Sequence, residues 1–342
     1  MTTVMRIVVG MCLATVLLAA PLSAAEGKWV PQRTISIVVP GAAGGGNDVM
    51  ARIMLPHISE YLGGATVVVE NITGASGSVA FESVRAAPAD GYSILCHNNG
   101  IGSVATTGNT DVTYKDFDML CLLAEGNPTF QVSGKSPINT MADLIEVLKK
   151  DETTVCHSGI GGMPFMPEIA LLSLIPNAFE RAAFVPYDGG RQCANAIATG
   201  EVDWGISDVI EGQGNWPDKL AKPLAIFKSK PTEIPGYGTI PPITDFIDVP
   251  HELMITGSNY RAYSIKAGTP ENIRKELEAA IVYAFQSKDF QNFMVNNALT
   301  PSGLVGKEAQ DVFVEMARRQ SWMLYDLGYA DASPEVYGIA RP

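Results

Sequence analysis

Histidine is scarce in this chain, with four in 342 residues, at 57, 97, 157 and 251. None has a third His, Cys, Asp or Glu at metal-ligand spacing, so no metal centre is expected. The cysteines include no CxxC pair, which removes the thioredoxin-type redox reading. Basic residues are in deficit, 24 against 36 acidic, for a formal charge of −12. That balance argues against nucleic acid or an anionic membrane as a partner. It does not argue against a small anionic ligand, because a pocket depends on local dipoles. After Ala25 no window reaches 18 unbroken apolar residues, so no membrane-spanning helix is expected there. Repeats and low-complexity segments are absent too.

What is present begins with a leader. Arg6 supplies a positive start, Ile7 to Ala20 is apolar, and Pro21-Leu22-Ser23-Ala24-Ala25 gives small residues before Glu26. The pattern is that of a secretory signal peptide over residues 1–25, cut after Ala24 or Ala25, and it implies a periplasmic location. Four cysteines follow it: Cys96, Cys121, Cys156 and Cys193. An oxidising compartment admits the pairs Cys96–Cys121 and Cys156–Cys193, but buried free thiols are the plainer reading.

Hydrophobic residues make up 46% and charged residues 18%, a globular composition, and the remaining length suits two cores better than one. Strand-like and helix-like segments alternate. "RTISIVVP" (33–40) precedes a helix from Asn47 to about Leu62, closed by Gly63-Gly64. "ATVVVE" (65–70) precedes a helix from about Ser76 to Ala86, and "YSILCHNNG" follows. "FDMLCLLAEG" is the next strand, and Thr140 with Asp143 predicts a capping box for helix 140–150. "TTVCHSG", "AAFVPY" and "EVDWGIS" continue the series, and Thr269-Pro270-Glu271 predicts a helix with proline in its first position. Such alternation predicts an α/β fold with parallel strands flanked by helices. The Pro-rich stretch 230–250 reads as a surface loop.

In open α/β sheets ligands bind beyond the carboxyl ends of the strands. Five turns in this sequence stand there: Gly41–Asp48, Gly74–Ser78, His97–Ser103, Ser158–Met163 and Tyr187–Arg191. Each joins glycine to Ser, Asn or a helix start. Glycine admits close approach of the backbone, and helix-start amides suit an anion. The Gly44-Gly45-Gly46 run is not a nucleotide motif, since it lacks both the G-x-G-x-x-G spacing and the P-loop lysine. Catalytic signals are weak. Ser158 lies in His-Ser-Gly, not in a nucleophile elbow. Asp48, His97 and His157 are the candidates for an alternative reading as an exported hydrolase or isomerase, and Asp208 ends a strand near the same place.

The segments "ISIVVPGAAGGGNDVMAR", "VVVENITGASGSVA", "PADGYSIL", "FVPYDGG", "GEVDWGISD" and "IKAGTPENI" occur in that order. The ordered set resembles the solute-receptor component of tripartite tricarboxylate transporters, the Bug-type family, over residues 33 to 330. The resemblance implies a two-lobed periplasmic binding protein of type II, with lobe one from 26–127 and 226–342 and lobe two from 128–225. Each lobe would be a mixed, mostly parallel sheet flanked by helices, with crossings near Glu125–Phe130 and Pro223–Phe227. It implies a monomeric receptor, not an enzyme, without cofactor. A small carboxylate would be held by backbone amides and handed to a membrane permease, with an orphan sensor as the variant role. Gly41, Ala42, Ala43, Gly45, Asp48, Ser76, Gly77, Asn98 and Asn99 of lobe one would hold one carboxylate. His157, Ser158, Gly162, Met163, Tyr187, Gly189, Arg191 and Asp208 of lobe two would close on the other end. Three departures from the family pattern matter: Gly41 where Phe is usual, Met163-Pro164-Phe165-Met166 in place of Ser-Pro-Ser-His, and Asp188 in place of Lys. They imply a wider and partly apolar pocket, with Arg191 available for a bidentate carboxylate contact.

Overall fold

In the computed structural model, which describes residues 28–342, strands β1 (Ile35–Val39), β2 (Val67–Asn71), β3 (Ser93–His97) and β4 (Phe117–Glu125) lead into the first lobe. The signal-peptide segment lies outside the described residues. Then come β5 (Pro128–Ser133), β6 (Thr153–His157), β7 (Ala182–Pro186), β8 (Gly205–Asp208) and β9 (Ala221–Ile226). A small hairpin, β10 (Thr232–Ile234) with β11 (Gly238–Ile240), precedes β12 (Tyr260–Lys266) and β13 (Thr300–Val305).

Lobe one is a six-stranded sheet in the order β13-β4-β12-β3-β1-β2. Pairing is parallel across β2, β1 and β3 and antiparallel from β3 through β12 and β4 to β13. The mixture follows from chain order, because β12 returns from lobe two and is inserted between β3 and β4. Strand alternation divides the core into two layers. Ile35, Ile37 and Val39 face Met50, Met54 and Ile58 of helix Gly46–Tyr61, together with Leu277, Ile281 and Phe290. Val38, between them in sequence, faces Phe81, Val84, Phe313 and Met316 on the other side. The four-residue spacing of Met50, Met54 and Ile58 is what makes 46–61 an amphipathic helix.

Lobe two runs β8-β5-β9, and an isolated parallel bridge from Val155 to Trp204 connects the parallel pair β6-β7 to it. Its core holds Phe130, Val132, Trp204 and Ile206 against helices Met141–Leu148 and Phe165–Ser173. The predicted capping box is present: Thr140 accepts from the Asp143 amide at 3.1 Å, and Asp143 accepts from the Thr140 amide at 2.9 Å. Pro270 stands one position earlier than predicted, capping the helix that begins at Glu271.

The chain leaves β4 of the six-stranded sheet for β5 of the other sheet through Gly126–Asn127. It returns at Ser258–Asn259, not near Pro223–Phe227. The reason is hydrophobic. Segment 230–250 is not a bare loop, because Ile234, Ile240 and Ile243 are buried in lobe-two clusters. Helix His251–Gly257 then packs on helix Phe165–Ser173. The two crossing segments lie side by side, with the Gly126 amide donating to the Asn259 carbonyl at 2.7 Å. The C-terminal helix Gly306–Asp326 serves both lobes: Phe313 and Met316 sit in lobe one, whereas Leu324 meets Phe165 and Met166 of lobe two.

All four described cysteines are buried free thiols, so neither disulfide is formed. Burial pushes the Cys96 and Cys121 thiols up to about 12. Titration with an aromatic disulfide reagent is expected to find no reactive thiol in the native mature chain and four in denaturant. Reaction of fewer than four after denaturation would show that a pair had oxidised.

His97 is fully buried at the end of β3, its Nε2 at 2.8 Å from Ser264 Oγ and its Nδ1 at 2.8 Å from the Asn98 carbonyl. Burial lowers its pKa from 6.5 to about 4. Between those values the unfolded chain binds the proton and the folded chain does not, so stability falls as pH drops. The expected loss is about 3 kcal/mol across that window, with no contribution above it. Urea melts at pH 7 and pH 5 read the slope, and His97→Gln should flatten it.

Candidate functional site

The carboxyl ends of six strands open on one hollow of about 380 Å³ between the lobes. Lobe one contributes Val39 to Asp48 after β1 (except Ala43 and Gly44), Thr73 to Gly77 after β2, and Asn98 and Gly100 after β3. Lobe two contributes His157 to Met163 after β6 (except Gly161), Pro186 to Gln192 after β7 (except Arg191), and Glu211 after β8. Asn259 and Arg261, where the chain re-enters lobe one, complete the wall.

Each turn is held open by a specific device. Asp48, buried in the first helical turn, accepts from the Gly44 amide at 2.8 Å and pairs with Arg52 at 2.9 Å. Burial opposes its charge, but hydrogen bonds from Arg52, Gly44 and Asn71 outweigh it and hold the carboxyl below its usual range. Asp48 therefore shapes the Gly-rich loop. In the second turn Gly74 and Gly77 both adopt positive φ, and a Cβ on Gly77 would lie 3.2 Å from Pro40 and from Phe81. The non-glycine residues Ala75 and Ser76 share the left-handed region, a strained arrangement that aims the loop at lobe two. Asn98 caps the turn after β3, accepting from the Gly100 amide at 3.2 Å.

The lobes touch across the mouth. Ser103 Oγ donates to the Gly161 carbonyl at 3.0 Å, and a Cβ on Gly159 would come within 2.5 Å of Ser76 Oγ. His157 Nδ1 accepts from the Gly159 amide at 3.2 Å, which leaves its proton on Nε2. Burial lowers the His157 pKa, so this imidazole is neutral at physiological pH. Ser158 Oγ donates to the Met163 carbonyl and is spent on the loop. Burial, with the Glu201 carboxylate next in importance, pushes the Tyr187 hydroxyl up to about 12.

The amides of Ala42 and Gly189 have no hydrogen-bond partner among the described residues. The helices they lead into, Gly46–Tyr61 and Gly190–Thr199, have N-caps Gly45 and Gly189, which carry no capping side chain. Both therefore point a positive dipole end at the hollow, and at the first of them the Gly46 amide donates to Glu211 Oε1 at 3.2 Å.

Four expected contacts are corrected by the geometry. Ala43 is on the exposed outside of its loop. Asn99 is buried behind the hollow, its amide donating to the Ser258 carbonyl and its Oδ1 accepting from Tyr260 at 2.7 Å. Arg191 turns aside to donate to the Ile210 carbonyl at 3.2 Å. Asp208 is fully buried beneath the wall and paired with Arg261 at 3.0 Å. His97, a core residue, is also absent from the lining, so Asp48, His97 and His157 do not converge. Conversely, Arg261, Asn259, Asn47 and Glu211 line the site without having been singled out. Arg261 had a legible signal: a single arginine inside the strand "YRAYSIK", where a buried charge demands a partner.

Among the described residues no group of three or more His, Cys, Asp or Glu is placed to hold a metal, and no helix is long and apolar enough to cross a membrane. The sequence pattern of the family described as "Tripartite tricarboxylate transporter family receptor" matches residues 50–328. A UPF0065 protein of Bordetella pertussis is 24% identical over 331 residues, covering 92% of this chain and 96% of its own. A UPF0065 protein from the TAR-I ttuE-ttuC' intergenic region of Agrobacterium vitis is 31% identical over 176 residues, 51% of this chain, and the match spans only 50% of that relative's length. Among solved structures, MatC of Rhodopseudomonas palustris, with bound malate, superposes with TM-score 0.71 at 23% identity, covering 85% of this chain and 98% of that one. The fold is that of two-lobed periplasmic binding proteins. With the pattern matched over most of its length, the chain belongs to the tripartite tricarboxylate transporter family of receptors.

Proposed function

We propose that this protein is a periplasmic receptor which closes on a small carboxylate and presents it to a membrane permease. One observation carries the reading: glycine-rich turns from both lobes meet in one hollow, and two helices without side-chain caps point their N-termini into it. Unpaired amides, including those of Ala42 and Gly189, would grip the anion, and His157 Nε2 adds a neutral donor. Met163, Ile160 and Val39 supply an apolar wall, which suits a ligand that is only partly polar. The malate carried by the structurally similar MatC supports the ligand class. The lobes would hinge about Gly126–Asn127 and Ser258–Asn259, and closure would create the surface the permease reads. Binding without turnover is expected, since the candidate acid and base groups do not converge.

Thermal unfolding of the mature chain with a panel of mono-, di- and aromatic carboxylates tests this. A true ligand at a hundredfold its Kd should stabilise by about 2.7 kcal/mol. A folded protein that no member of the panel stabilises, and that titration calorimetry shows binding none, would overturn the proposal. Gly159→Ala places a methyl against Ser76 Oγ and should hold the mouth apart. Its ligand affinity should drop about tenfold, a loss of roughly 1.4 kcal/mol, while its circular dichroism matches the parent.

A further inference from the structure

Glu211 stands on the short helix Val209–Gly212, directly after β8. Its Oε1 accepts from the amide of Gly46, the first residue of the lobe-one helix, at 3.2 Å. Its Oε2 lies against Gly190, the first residue of the lobe-two helix, where any Cβ would collide with it. The protein's own carboxylate thus occupies the gap between the two uncapped helix N-termini, one from each lobe. Burial raises the Glu211 pKa, with Arg261 opposing, and a ligand carboxylate directed to the same gap would find the Gly46 amide taken and a second carboxyl group in front of it.

The remaining charges point the same way. Acidic side chains on the lining are Asp48, Asp188 and Glu211, and the cation there is Arg261. Arg261 commits both Nη atoms to the protein, Nη2 donating to Asp208 at 3.0 Å and Nη1 to Asn47 Oδ1 at 3.0 Å, while its buried Nε has no partner. Asn259, 1% exposed, donates Nδ2 to Asp208 Oδ2 at 2.7 Å, and its Oδ1 has no partner. Asp208 is a hydrogen-bond acceptor here, which fixes that orientation of the amide. Two acceptors therefore stand at the hollow: the partly exposed Glu211 carboxyl group, whose hydrogen-bond donor is the Gly46 amide, and the buried, unpaired Asn259 Oδ1. A ligand group that donates to Glu211 gains affinity over one that sets a second acceptor against it.

We propose that the cleft selects a monocarboxylate whose far end carries a hydrogen-bond donor, and that Glu211 is the residue that rejects a second carboxylate. The inference rests on the receptor reading above and narrows its ligand.

Matched pairs test it: glutarate with glutaramate, adipate with adipamate, and terephthalate with 4-carbamoylbenzoate. Each is titrated calorimetrically into the mature protein and into Glu211→Gln at pH 7.5. The parent should bind the monoamide of at least one pair ten times or more tighter than the diacid. Glu211→Gln offers an amide donor where the carboxylate stood, and should abolish or reverse that ratio. Three results would overturn the proposal. One is a parent that binds a diacid as tightly as its monoamide. Another is a Glu211→Gln variant that changes both members of a pair by the same factor, since Glu211 would then be a general competitor and not a discriminator. The third is no binding of any pair by folded protein, which leaves the receptor reading standing if another carboxylate of the panel binds and removes both if none does.

Discussion

The architecture turns on the buried ion pair between Arg261 and Asp208. Arg261 is on the first strand re-entering lobe one, and Asp208 ends the lobe-two strand β8. Their contact at 3.0 Å therefore crosses the boundary between lobes where the chain itself crosses. Asp208 also accepts from the Asn127 amide at 3.3 Å and from Asn259, so each crossing segment is tied to the same carboxylate. Gly126 is obliged to be glycine there, because a Cβ would collide with Asp208 Oδ2. Two charges taken out of water are costly, and breaking one partner leaves the other uncompensated. The pair stands where it fixes which faces of the lobes meet.

The same guanidinium governs the cleft. Gly46 has no side chain because a Cβ would lie 2.6 Å from Arg261 Nη1. That absence lets the arginine pack on the first turn of helix Gly46–Tyr61, where Asn47 receives it. The hinge and the anion-facing loop are thus joined by one side chain. A change at the crossing, such as a displaced Asp208, would be felt at the helix start that faces the ligand.

Much of this was legible in the residues and some was not. The strand ends were readable because glycine, asparagine and helix-start signals recur after each apolar run, and all five turns reach the hollow. The alternation at Ile35, Ile37 and Val39 against Val38 was readable for the same local reason. What escaped was long-range. The insertion of β12 between β3 and β4 depends on residues about 140 apart in sequence, and no local period encodes it. The return crossing was placed too early because prolines at 241, 242 and 250 suggest a loop, whereas Ile234, Ile240 and Ile243 carry the burial that keeps that stretch on lobe two. Arg191 and Asp208 were assigned to the ligand by their position beside turns. The structure gives the partly exposed Arg191 to the Ile210 carbonyl, and Asp208 to Arg261 because a buried charge needs a satisfying partner. Glu211 went unnoticed because a glutamate on a short helix has no local pattern, and its meaning comes from Gly46, 165 residues away.

An acidic chain and the proposed anionic ligand are consistent once the sources of field are separated. Net charge acts over distances that salt screens within about 8 Å, whereas helix ends and single amides act at contact. The main-chain N–H groups that face the hollow cannot be neutralised by pH and are fixed by the fold. Side chains then contribute the negative sign: Asp48 to shape the first loop, Glu211 to fill the gap between two helix starts. On the proposed reading backbone attracts and side chain restricts, so affinity for an anion would belong to the fold, and the choice among anions to the few side chains that face the hollow.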